Sequence, residues 1–129
     1  MCLALNVYYE SNNQPELGQK LVAQTTINRS IENNSSICEE VLRPNQFSWV
    51  SQNVHRKRLK KSIEPQEGEQ WENAQRIAKL ALNSKLSLPK TLATATSFHA
   101  NNVKPRWSKS KDMRCLGKIG NHTFYSKKK

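Results

Sequence analysis

A carboxyl group that holds a proton near neutral pH can protonate a leaving oxygen and later take a proton back. This sequence offers few candidates. It has 129 residues with ten acids, and Asp112 is its one aspartate. Asp112 lies in a lysine-rich stretch with loop composition. Glu32, Glu64, Glu67, Glu69 and Glu72 fall at helix ends or on polar faces. Glu16 reads as a first-turn helix residue, Glu39 belongs to a capping box, and Glu40 beside it is expected to be exposed. Glu10 differs, because it closes an apolar segment directly after Tyr8 and Tyr9. Partial desolvation there would raise its pKa and suit it to general acid work. The competing reading is an ordinary helix-terminal glutamate in solvent.

Other polar and aromatic residues stand together. Gln46, Ser48 and Trp49 flank Phe47, His99 follows Phe98, and Trp107 follows Pro105-Arg106. Asn121-His122 precede Phe124-Tyr125. Taken singly, each Trp or Phe reads as core, each His as a hydrogen-bonded structural residue, and Asn121 as a turn residue. Taken together, they would line a polar groove with aromatic walls, the kind of surface a sugar chain needs.

The elements that must hold these groups are readable in outline. Residues 3–10 form a short apolar helix. A second runs from about Glu16 to Ile31, with Leu17, Leu21, Val22, Thr25 and Asn28 on one face. Ser36-Ile37-Cys38-Glu39 is a capping box opening a short helix over 37–42. Glu69 to Asn83 is the clearest helix, with Trp71, Ala74, Ile77, Ala78, Ala81 and Leu82 in one stripe. Residues 93–100 suggest a strand, and 116–119 with 122–125 suggest a hairpin about Gly120-Asn121. Residues 51–68 read as a basic, mobile connection. The fold class is α+β, a single domain of helices plus a small antiparallel sheet, spanning 1–129.

Seven segments, in order, resemble the cell-wall hydrolase family typified by spore cortex-lytic enzymes of the SleB kind, also carried by many phages. They are Leu3 to Glu10, Pro15 to Gln19, Val22 to Arg29, Gln46 to Trp49, Phe98 to Ala100, Val103 to Trp107, and Ile119 to Tyr125. The resemblance implies a lysozyme-like fold with the catalytic glutamate at the end of the first helix, the position of Glu10. It also implies cleavage of peptidoglycan between N-acetylmuramic acid and N-acetylglucosamine. Substrate-groove positions fall on Gln46, Ser48, Trp49, His99, Trp107, Asn121 and Tyr125. The chain departs from the family after the glutamate, where Ser11-Asn12-Asn13 replaces Ala or Ser followed by Arg-Gly.

Hydrolysing glycosidases normally use two carboxylates. With one good candidate, the expected reaction is lytic transglycosylation, in which the muramic acid 6-hydroxyl serves as nucleophile. A muramidase hydrolysing the same bond is the first alternative, and a basic nucleic-acid-binding module is another. The net charge of +11 requires an anionic partner or a strongly cationic surface. Peptidoglycan and anionic envelope polymers fit better than nucleic acid, for which no motif is present. Residues 55–61 and the closing Lys127-Lys128-Lys129 concentrate that charge. Cys2, Cys38 and Cys115 are odd in number and lack metal spacing, so buried reduced thiols are expected, with no metal or cofactor. No segment reads as a signal peptide or a transmembrane span. The expected protein is a monomeric, endolysin-like enzyme made in a host cytoplasm and acting on the wall after release.

Overall fold

The computed structural model describes residues 1–43 and 68–128. Gln46, Ser48, Trp49 and residues 51–67 lie outside the described residues. Among the described residues the order is α1 (Cys2–Ser11), α2 (Glu16–Glu32), α3 (Ile37–Leu42), α4 (Glu69–Leu82), β1 (Ser97–Ala100), a 3₁₀ turn (Arg106–Lys109), β2 (Met113–Ile119) and β3 (His122–Lys127). The architecture is the expected α+β: helices beside a three-stranded antiparallel sheet of order β1-β3-β2.

α1 is apolar around most of its surface because α2, α3 and α4 all pack on it. Leu3, Ala4, Leu5 and Val7 are buried. They meet Leu21 and Val22 of α2, Val41 of α3, and Trp71 and Ile77 of α4 in one core that extends to Phe124 of β3. Tyr8 packs edge-on against Trp71, with ring centroids 5.7 Å apart. The α4 stripe is as expected except at its end, where Leu82 is 54% exposed. Ala81, one residue before it, is still in the core, so only the final residue of the stripe turns to solvent. The capping box at Ser36 is formed, with the Ser36 hydroxyl accepting from Glu39 N and Glu39 accepting from Ser36 N.

In the sheet, Ser97 to Ala100 pair with Tyr125 to His122, and Met113 to Ile119 pair along the other edge of β3. The central strand is buried over five consecutive residues, His122 to Ser126. β1 is shorter than the sequence suggests, because residues 91–94 form a turn. Gly120 closes the hairpin at φ 59°, and a side chain there would collide with Gln14 and Pro15.

Two expectations are corrected. Cys2 and Cys38 form a disulfide across 36 residues of sequence, so they are not reduced thiols. It closes because α3 folds back against the start of α1, a proximity that no local pattern reveals. Cys115 is free and exposed. Glu40 is fully buried, not exposed. Arg29, Asn33, Ser35 and Arg43 surround its carboxylate with hydrogen bonds of 2.8–3.2 Å.

Candidate active site

Glu10 stands on the last turn of α1, and the chain fixes that turn from three sides. Asn6, one turn earlier and fully buried, donates from Nδ2 to Thr26 Oγ1 of α2 at 2.8 Å. Ser11, also fully buried, donates its hydroxyl to the Val7 carbonyl at 2.8 Å. Beyond the helix, Gln14 Oε1 accepts from Asn121 N at 2.7 Å, so the loop that lacks the family's arginine is tied to the hairpin turn.

Glu10 opens into a cleft of about 720 Å³. One wall is α2, contributing Thr25, Arg29 and Glu32. The other is the sheet, contributing residues 96–100 and His122, while Val103, Pro105 and Trp107 flank it. Burial pushes the Glu10 carboxyl up to about 7. No basic residue occupies the last turn of α1 to oppose this. The group therefore exchanges its proton near neutral pH, as a general acid and base must.

The aromatic part of the cleft is a built cluster. His99 Nδ1 faces the Ala100 carbonyl at 2.8 Å, an acceptor, so that nitrogen carries the proton. In the neutral ring, Nε2 then accepts the Tyr125 hydroxyl at 2.9 Å. Trp107 packs edge-on against both, with centroids 5.7 Å from His99 and 5.2 Å from Tyr125. The Trp107 ring stays 37% exposed and borders the cleft. A partly exposed aromatic face beside polar groups suits the apolar face of a sugar ring.

Residues 13–125 match the family model described as cell wall hydrolase. The chain belongs to the cell wall hydrolase family. No curated protein and no solved structure matches it. Membership makes peptidoglycan the substrate class. Glu10 lies just before the matched span, so its assignment rests on geometry and on the segment resemblance.

In this cell wall hydrolase the expected site residues divide. Glu10, His99 and Trp107 border the cleft. Tyr125 is buried behind it and supports His99 and Trp107. Asn121 is exposed at the hairpin turn, outside the cleft lining, and its backbone nitrogen serves Gln14. Asp112 is exposed in a turn and Glu16 is on the surface with Lys20 and Arg76; neither borders the cleft.

Sequence reasoning missed Thr25, Arg29, Glu32, Thr96 and Lys127, all of which line the cleft, whereas His122, read as one of the groove-lining set, does line it. Their signal was present in part, since positions 25, 29 and 32 recur at helical spacing. Thr25 Oγ1, Thr96 Oγ1 and His122 Nδ1 are buried without a hydrogen-bond partner among the described residues. Burial, with a contribution from His99, holds His122 below its ordinary pKa, so it is neutral in the physiological range. Among the described residues no group of side chains has the makeup of a metal site, and no helix is long and apolar enough to cross a membrane.

Proposed function

We propose that this cell wall hydrolase cleaves the bond between N-acetylmuramic acid and N-acetylglucosamine by lytic transglycosylation, with Glu10 as the acid and then the base. The observation that carries this reading is a mostly buried carboxyl, titrating at about 7, at the edge of an aromatic-walled cleft. Protonated Glu10 gives its proton to the glycosidic oxygen as the bond to the muramic acid anomeric carbon breaks. The resulting carboxylate takes the proton of the 6-hydroxyl on the same sugar as that oxygen bonds to the anomeric carbon. The products are a free N-acetylglucosamine 4-hydroxyl and a 1,6-anhydro end, with no water consumed and Glu10 reprotonated. Trp107 and His99 would seat the sugar rings, with Tyr125 holding them from behind; Gln46, Ser48 and Trp49 are proposed as further sugar-binding residues.

Glu32 gives the hydrolytic alternative a specific basis, because it is a second carboxylate in the same cleft. It is ion-paired to Lys127 at 2.6 Å. That pairing favours transglycosylation over activation of water by Glu32. The +11 charge supports retention on anionic wall polymers. The Cys2–Cys38 disulfide supports action outside a reducing cytoplasm, as an endolysin-like lytic enzyme would act after release.

The test is digestion of purified sacculi, with mass analysis of the soluble products and no reductive step. Anhydro ends should dominate, and Glu10→Gln should lose at least about 100-fold in rate while keeping its fold. Dominant reducing ends would replace this mechanism with hydrolysis. A lytic Glu10→Gln would remove Glu10 from the chemistry.

A further inference from the structure

The cleft continues past the aromatic cluster along α2 and changes character as it goes. Thr25, Arg29 and Glu32 border it at successive turns, and Thr96, Ser97 and Lys127 face them from the sheet side. Arg29 is committed to structure, donating to the Thr96 carbonyl and the Ser97 hydroxyl at 3.1 and 3.2 Å and to Glu40. The Thr25 and Thr96 hydroxyls are committed to nothing among the described residues. Thr25 is 1% exposed, and its hydroxyl lies beneath the cleft wall. At the far end, Glu32 and Lys127 close the arm as an ion pair, with side chains 36% and 59% exposed.

In a peptide-bearing strand the glycan backbone is neutral, because each lactyl carboxyl is held in the amide to the peptide, and it gives such a pair nothing to do. The peptide carried on muramic acid is different, since it bears amides, free carboxylates and, at its diamino acid, a free amine. We propose that this arm of the cleft binds the stem peptide. Glu32 receives the amine and Lys127 receives a carboxylate. This rests on the glycan-cleaving reading above and adds to it a preference for peptide-bearing strands. An exposed ion pair contributes little by itself. Exchanging it for two substrate charges is therefore inexpensive, and its value lies in selectivity.

The test compares uncross-linked glycan strands carrying stem peptides with the same strands stripped by an amidase and then amidated at the freed lactyl carboxyls. The readout is the ratio of kcat/KM on the two substrates. The full chain should favour peptide-bearing strands about tenfold, and Glu32→Gln with Lys127→Gln together should bring the ratio near unity. Acetylating the peptide amine should cost the wild type about threefold and Glu32→Gln nothing; amidating the carboxylates should do the same for Lys127→Gln. A wild-type ratio near one overturns the proposal while leaving glycan cleavage intact. So does an equal loss on both substrates in Glu32→Gln, which would place Glu32 in the chemistry. If neither strand is cut, the glycan-cleaving reading falls and takes this one with it.

Discussion

The ring of His99 lies stacked on that of Tyr125, centroids 5.3 Å apart, with the Tyr125 hydroxyl 2.9 Å from His99 Nε2. A buried residue on the central strand thereby sets the angle of a partly exposed one in the cleft, and Trp107 leans on both. Tyr125→Phe keeps the stack and removes the hydrogen bond. It should lower stability by about 1 kcal/mol and raise KM for soluble glycan strands. Trp107→Ala should raise KM further with little change in melting temperature, because the ring is more than a third exposed. A loss of about 3–5 kcal/mol on truncation would instead mark Trp107 as core.

The disulfide ties the start of α1 to α3, while Glu10 stands at the other end of α1. Reduction should destabilise the protein by about 2–4 kcal/mol, within the ordinary range for native disulfides. Cys2→Ser should reproduce that loss in the absence of reductant. Cys115→Ser should change nothing, since that thiol is free and exposed. Melting curves with and without reductant for the three proteins decide this; equal curves for wild type and Cys2→Ser without reductant would mean that the bond contributes nothing to stability.

The helices were legible because their signals are local. The Trp71 to Ala81 stripe and the Ser36–Glu39 box are written within one or two turns of chain, and both formed as expected. Glu10 stood out because two tyrosines and an apolar run precede it. What stayed hidden depends on segments far apart in sequence. Cys2 meets Cys38 only after α3 folds back. Glu40 is buried only because Arg29, Asn33, Ser35 and Arg43 converge on it, and a capping-box neighbour with that charge ordinarily faces water. Thr25 read as sharing one face of α2 with Leu17, Leu21 and Val22, and it is buried there. That it also lines the cleft follows from where β1 lands, which the sequence of α2 does not encode.

Glu40 holds α2 to α3 and keeps Arg29 against β1, so it supports one wall of the cleft. Burial pushes its carboxyl up, but the hydrogen bonds from Ser35, Asn33 and Arg29, with the Arg29 charge, outweigh this and leave it below the usual range. A lowered folded pKa means that Glu40 contributes stability above the ordinary carboxylate value. That contribution is lost as pH falls through the folded pKa. Glu40→Ala should cost about 3–5 kcal/mol at pH 7, because the arginine partners lose their countercharge. The difference between wild type and Glu40→Gln in denaturant unfolding should shrink in acid. A difference constant from pH 7 to pH 3 would show that the carboxylate charge is not what holds these helices.

Glu10 carries the opposite sign, and that makes it testable apart from catalysis. Its folded pKa is raised from 4.5 to about 7 by burial. The folded protein therefore binds this proton more tightly than the unfolded chain does. The stability that the protonated group allows is fully present below 4.5 and is lost as pH rises through about 7. The whole cost is at most about 3 kcal/mol, from a shift of roughly two and a half units. Glu10→Gln cannot ionise and escapes it. The variant should match wild type near pH 4 and become more stable than wild type by pH 8, although it is expected to be inactive. Across the same range, wild-type kcat/KM should fall as pH climbs above about 7, because the acid form disappears. Denaturant unfolding of both proteins from pH 4 to pH 8, beside the wild-type rate profile, reads the two effects together. Parallel stability curves would mean that Glu10 is solvated in the folded protein, and the physical case for it as the catalytic acid would fail.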